Sequence, residues 1–174
     1  VRRDIFGNPV KVPGGIASLV NPFEPTKSID NPIINEAKSL GVNIGLPERT
    51  LSLEKNTNVK LTNVEYSLYQ KVQGKILEKT LRELINSEGF EVLSIPEKEN
   101  EFKKTITEVR TAINMQMLPA LMIGRYGLPR DTNPQLLRIL LSELSKDDRF
   151  KKMSIERQGE VIKNLLQASG AASQ

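Results

Sequence analysis

Four basic residues, Lys71, Lys75, Lys79 and Arg82, recur at helical spacing on one face, an arrangement that can track a row of phosphates. Arg149, Lys151 and Lys152 form the densest basic cluster of the chain. Both runs carry their own counter-ions. Glu78 stands three residues after Lys75 and four before Arg82, and Asp147 and Asp148 directly precede Arg149, so solvated ion-pair ladders are the better reading of each. Glu65, Glu97 and Glu156 are the carboxylates placed to do acid–base work. Each falls in the first turn of an expected helix, where the cap and the helix dipole already account for it.

The rest of the reactive inventory is thin. With no Cys there is no thiolate nucleophile, disulfide framework or Cys-based metal site, and with no His the commonest general base and metal ligand are missing. Gly14-Gly15 and Gly124-Arg-Tyr-Gly127 lack the Lys-Ser/Thr pair and preceding strand of a phosphate loop. Tyr66, Tyr69 and Tyr126 are too sparse for a base-stacking platform. No catalytic, cofactor-binding or metal-binding residue can be named, and the expectation is a non-enzymatic protein without a cofactor.

The elements that position these residues are mainly α-helical. The chain has 174 residues and 19.5 kDa, enough for one domain with a real core. Aromatics are only 5% and Trp is absent, so Leu, Ile and Val supply the apolar content, which suits helix packing better than a β sandwich. The net charge of +4 comes from 25 basic and 21 acidic residues with interleaved signs, weak grounds for a polyanion partner. No run approaches the roughly 20 apolar residues that span a bilayer, and Val1 to Asp4 do not lead into a signal-peptide apolar region. A start at Val1 in place of Met is what a processed product or a piece of a longer chain would show.

From residue 1 to 47 the chain holds six of its 10 prolines and five of its 11 glycines, which predicts an extended arm with one short helix. Ile5, Phe6, Val10, Val12, Ile16, Leu19 and Phe23 are its apolar anchors, expected to lie on another surface, of this domain or of a partner. The short helix is capped by Asp30 or Asn31, carries Pro32 in its first turn and ends at Gly41. Over residues 48–61, Leu51, Leu53, Val59 and Leu61 alternate with polar residues, the pattern of a small β hairpin.

A long helical hairpin is expected over 62–118, opened by the capping boxes Thr62/Glu65 and Ser94/Glu97. Val64, Leu68, Val72 and Ile76 mark one side of its first helix, and Leu77, Leu81, Leu84 and Ile85 another; the change falls at Gly74, where a bend or a change of packing partner is expected. Ile95, Phe102, Ile106, Val109, Ile113 and Met117 form the stripe of the second. Pro119 and the 124–129 stretch are expected to end it. A second helical pair follows over 119–168, then a tail over 169–174. Its first helix starts at Asn133-Pro134, is apolar almost all round and is expected to be well buried; its second turns Ile155, Ile162, Leu165 and Leu166 inward. Phe90, Leu93, Ser94 and Ile95 recur sixty positions later as Phe150, Met153, Ser154 and Ile155, so the same helix start is used twice.

Asp4-Ile-Phe-Gly-Asn-Pro9, Pro13-Gly-Gly15, Asn21-Pro-Phe23, Asn31-Pro32 and Leu61-Thr-Asn-Val-Glu-Tyr66 with Tyr69 follow one another in an order that resembles a domain near the ends of large polyvalent virion proteins of tailed bacteriophages. The likeness covers about residues 3–110, with Asn63-Val64 where the pattern often has Pro-Glu. The resemblance implies a C-terminal piece of a virion protein that is made in the bacterial cytoplasm, packaged in the capsid or at the portal and tail, and delivered with the genome. Enzyme activities of such proteins belong to other segments. Portal, tail or internal virion proteins, and further copies of the chain, are the implied partners. The alternatives are a nucleic-acid-binding accessory domain of a packaged polymerase or nuclease, using the two basic clusters, and a generic intracellular helical scaffold.

Overall fold

The computed structural model describes residues 2–10, 31–54 and 57–169. Seven helices and one two-stranded sheet are present among them: α1 (Pro32–Ser39), β1 (Thr50–Ser52), β2 (Asn58–Lys60), α2 (Asn63–Ile85), α3 (Glu88–Glu91), α4 (Ile95–Tyr126), α5 (Pro134–Leu144), α6 (Asp148–Lys151) and α7 (Ile155–Ala168). The protein is mainly α, as the composition implies, with a small antiparallel hairpin where the alternation over 48–61 predicts one. It divides into two compact units, Val1–Pro47 with Tyr66–Ala112, and Glu48–Glu65 with Ile113–Gln174.

In the first unit, α2 and α4 pack Leu77, Leu81, Phe102 and Ile106 together with Phe90 of α3 and with Ile33, Ala37 and Leu40 of the α1 region. Asn31 caps α1 by accepting from the Ile33 N–H at 2.9 Å, with Pro32 at the first position. At the other end Gly41, at φ 69°, lets the chain reverse. The Gly41 and Val42 N–H groups reach back to the carbonyls of Lys38 and Ala37, which satisfies the last turn. Phe6 joins the same core and is 3% exposed.

At Gly74 the helix α2 is not interrupted; it runs from Asn63 to Ile85. A Cβ at Gly74 would lie 2.2 Å from the Phe6 carbonyl carbon and 2.3 Å from the Gly7 nitrogen, so the glycine lets the N-terminal turn sit against the helix backbone. The change of side in the apolar pattern does not mark two packed faces: the buried residues of α2 are Tyr69, Gln70, Gln73, Gly74, Leu77 and Leu81. Leu77 and Leu81 are buried, whereas Val64, Leu68 and Ile76 are 81%, 49% and 39% exposed.

In the second unit the strands pair antiparallel with Leu51 opposite Val59, and Leu51, Leu53, Val59 and Leu61 are all buried. The expected stop at Pro119 does not occur: α4 continues to Tyr126, so the boundary at 118 is not a helix end. Pro119 leaves the Met115 carbonyl without its i+4 donor. Arg138 of α5 supplies one instead, donating from Nη2 at 3.1 Å. The helix ends at Gly127, whose φ of 60° lets the Leu128 N–H return to the Ile123 carbonyl. On α5, Leu137 and Leu141 are buried but Ile139 is 52% exposed, so the apolar belt of this helix is not fully covered. On α7, Ile162 and Leu166 face inward, while Ile155 and Leu165 are exposed. An i, i+4 ridge fills the interior, and the residues beside it or in the first turn fall outside.

The repeated motif extends into a repeated structure. Ser87 and Asp147 cap the four-residue helices α3 and α6; Phe90 and Phe150 are buried beneath them; Ser94 and Ser154 cap the helices that follow. The same offset of sixty matches Leu77 with Leu137, Leu81 with Leu141, Phe102 with Ile162 and Ile106 with Leu166, all eight buried. It also matches Ile95 with Ile155, both exposed. Each unit therefore holds one copy of a helix, short helix, helix motif.

Candidate interaction surfaces

The motif residues at the N-terminus build a closed turn. The Asp4 carboxylate accepts from the N–H groups of Phe6 and Asn8, both at 2.9 Å, while the Asp4 N–H donates to the Asn8 carbonyl and the Asp4 carbonyl accepts from the Gly7 N–H. Gly7 takes φ 77°, and Arg3 pairs with Pro9 across an isolated antiparallel bridge. Arg3 also ties the turn to α2, donating from Nε to Ser67 Oγ at 3.0 Å. Of the seven proposed arm anchors, Phe6 is committed to the core of its own unit, Ile5 packs half-buried against that core, and Val10 is 44% exposed. Val12, Ile16, Leu19 and Phe23 lie outside the described residues.

The Thr62 and Glu65 pair closes the expected capping box. The Thr62 N–H donates to Glu65 Oε1 at 2.9 Å, and the Glu65 N–H donates to Thr62 Oγ1 at 3.3 Å. Glu65 has a second role that spacing alone does not reveal. Arg125, sixty residues away, donates from Nε to Glu65 Oε2 at 2.9 Å and from Nη2 to the Lys60 carbonyl at 2.8 Å. Each side chain is only 12% exposed. Burial alone would raise the Glu65 pKa, but the hydrogen bonds from Arg125 and Thr62 outweigh it and hold the carboxyl below its ordinary value. Ser94 and Glu97 form the other capping box, with bonds of 3.1 and 3.4 Å. Glu156 stands exposed in the first turn of α7. These three carboxylates thus serve helix starts, and Glu65 also anchors Arg125.

Lys71, Lys75, Lys79 and Arg82 share the exposed face of α2 in the first unit. Two of them are already engaged: Lys75 Nζ donates to Asn8 Oδ1, and Arg82 Nη2 lies 3.3 Å from Glu78 Oε1. Arg149, Lys151 and Lys152 are exposed at α6 in the second unit. Arg149 sits 3.4 Å from Asp147, and Lys151 sits 3.8 Å from Asp148. Asp147 also accepts from the Arg149 N–H, which with the guanidinium lowers its pKa. Exposed pairs of this kind add little stability and leave the charges available to solvent.

Two features escape sequence reasoning because they depend on tertiary placement. Gln73 is fully buried in the first unit, and neither its amide nitrogen nor its oxygen has a hydrogen-bond partner in the protein. In the second unit Met115, Pro119, Pro134, Arg138 and Ile139 line an open surface groove of about 480 Å³, with Met115 60% exposed. Among the described residues no helix is long and apolar enough to cross a membrane, and no cluster of acidic side chains is placed to hold a metal ion. Compared with known protein families, curated proteins and solved structures, the chain matches none.

Proposed function

We propose that this chain is a non-enzymatic structural and interaction module at the C-terminus of a large virion protein of a tailed bacteriophage, carried in the particle and ejected with or ahead of the DNA. The observation that carries the reading is the use made of the motif residues. Asp4 and Gly7 close the N-terminal turn, Phe6 and Tyr69 fill the interior, and Thr62 with Glu65 starts α2. Residues that recur as a motif here act as folding devices, which suits a scaffold that presents surfaces to portal, tail or internal virion proteins. The exposed apolar residues Leu68, Ile76, Met115 and Ile139 supply contact area of the right kind.

Mass spectrometry of purified particles tests this directly. Peptides of this sequence should appear in the virion within a much larger chain. A free product of this length that is absent from particles would refute the proposal. The competing reading, a nucleic-acid-binding accessory domain, draws on the exposed basic row of α2. Filter binding across a salt series separates the two: affinity that falls steeply with salt favours nucleic acid, and no detectable binding at low salt removes it.

A further inference from the structure

The two copies of the hairpin motif differ most in the charge of their tips. Residues 86–97 carry Glu88, Glu91 and Glu97 and no basic residue, a net charge of −3. The matching residues 146–157 carry five cations against three carboxylates, a net charge of +2. All of the cations there are exposed, as are the three glutamates of the first tip. Both tips also expose apolar side chains that the fold does not cover: Val92 at 83% and Ile95 at 67% on the acidic tip, and Ile155 at 47% on the basic one. An exposed apolar centre in an acidic surround, matched elsewhere on the same chain by an exposed apolar centre in a mixed surround of net positive charge, is the pattern of a heterologous contact.

We propose that the acidic tip of the first unit docks on the basic tip of the second unit of another copy of this chain. Val92 and Ile95 meet Ile155 at the centre, and Glu88 and Glu91 face Lys151, Lys152 and Arg157 around it. Like tips repel, so the contact is head to tail. Repetition gives a ring if the rotation closes and a chain of copies if it does not. The proposal rests on the assembly reading for its setting, and on the two surfaces alone for its geometry.

Sedimentation velocity on the full chain tests it. The weight-average mass should rise with protein concentration and fall when salt shortens the Debye length from about 10 Å at 0.1 M to about 3 Å at 1 M. The double variant Glu88→Lys, Glu91→Lys makes both tips basic; Lys151→Glu, Lys152→Glu makes both acidic. Each alone should associate at least about tenfold more weakly than the parent chain, while an equimolar mixture of the two should recover association. Circular dichroism identifies any variant that fails to fold, and Val92→Ser with Ile95→Ser then supplies a charge-neutral disruption. A parent chain that stays monomeric at low salt overturns the proposal, as does association unchanged in both double variants or a mixture that stays monomeric. A monomeric chain that is still found in particles leaves the assembly reading standing without this contact; a self-associating chain absent from particles does the reverse.

Discussion

Replacing Gly74 by alanine should destabilise the protein, although the same change in an unobstructed helix interior stabilises by about 1 kcal/mol. The added methyl would stand 2.2 Å from the Phe6 carbonyl carbon, 2.3 Å from the Gly7 nitrogen and 2.6 Å from the Phe6 oxygen. All three are backbone atoms, so no side chain can rotate away. Ordinary carbon contacts lie at about 3.5–4.0 Å, so the turn must retreat by about 1.5 Å. That retreat draws the Phe6 ring, 3% exposed, out of a core where a buried aromatic is worth about 1.5–3 kcal/mol. Gly7 cannot absorb the strain, because its own φ of 77° is fixed by the turn and its α carbon already faces the backbone of Gln70 and Lys71.

After the helix-propensity gain is subtracted, the net loss for Gly74→Ala should be about 0.5–2 kcal/mol. Urea unfolding followed by circular dichroism measures it, and trypsin cleavage at Arg3, which the turn now half buries, should accelerate. Gly124 is the internal control. It lies within α4 with nothing inside 4 Å of an added Cβ, so Gly124→Ala should stabilise by about 1 kcal/mol. If Gly74→Ala and Gly124→Ala shift the midpoint in the same direction, the close approach of the turn to α2 is wrong.

Phe90→Ala and Phe150→Ala, at equivalent places in the two copies, should each cost about 3–5 kcal/mol by thermal or urea unfolding; a negligible effect of either would break the equivalence. Glu65→Gln should lower stability by about 2 kcal/mol at neutral pH, through loss of charged hydrogen bonds to Arg125. The carboxyl titrates below its ordinary value of 4.5 when folded. Its contribution is therefore complete above that value and is lost as pH falls through the folded one, so the variant's stability should change less with acid than the parent's. Parallel pH curves would contradict the buried pair. Arg138→Met should cost about 1 kcal/mol by removing the donor to the Met115 carbonyl. In a Pro119→Ala background, where residue 119 regains its N–H, that cost should shrink, and a double-mutant cycle with no coupling would refute the compensation.

Much of this fold is legible in the sequence because its signals are local. The capping boxes at Thr62/Glu65 and Ser94/Glu97, the Asn31-Pro32 and Asn133-Pro134 starts and the Gly41 stop all act within a few residues, and all appear in the structure. Pro119 misleads because the donor that rescues its helix, Arg138, lies on the next long helix. The exposure of Ile95, Ile139, Ile155 and Leu165 is hidden for the same reason: periodicity marks a residue as apolar without saying which neighbour reaches it. The Glu65 and Arg125 pair spans sixty residues, and no spacing rule connects them. Phe6 is read from the sequence as an anchor, but its seat against Gly74 becomes visible only when the two backbones are placed together.

An image of the intact particle at a resolution that separates helices tests the central claim most directly. Density for the two hairpin copies is expected inside the capsid or at the portal and tail, in contact with virion proteins. Particles that lack this chain, or a chain found bound only along nucleic acid, would contradict it.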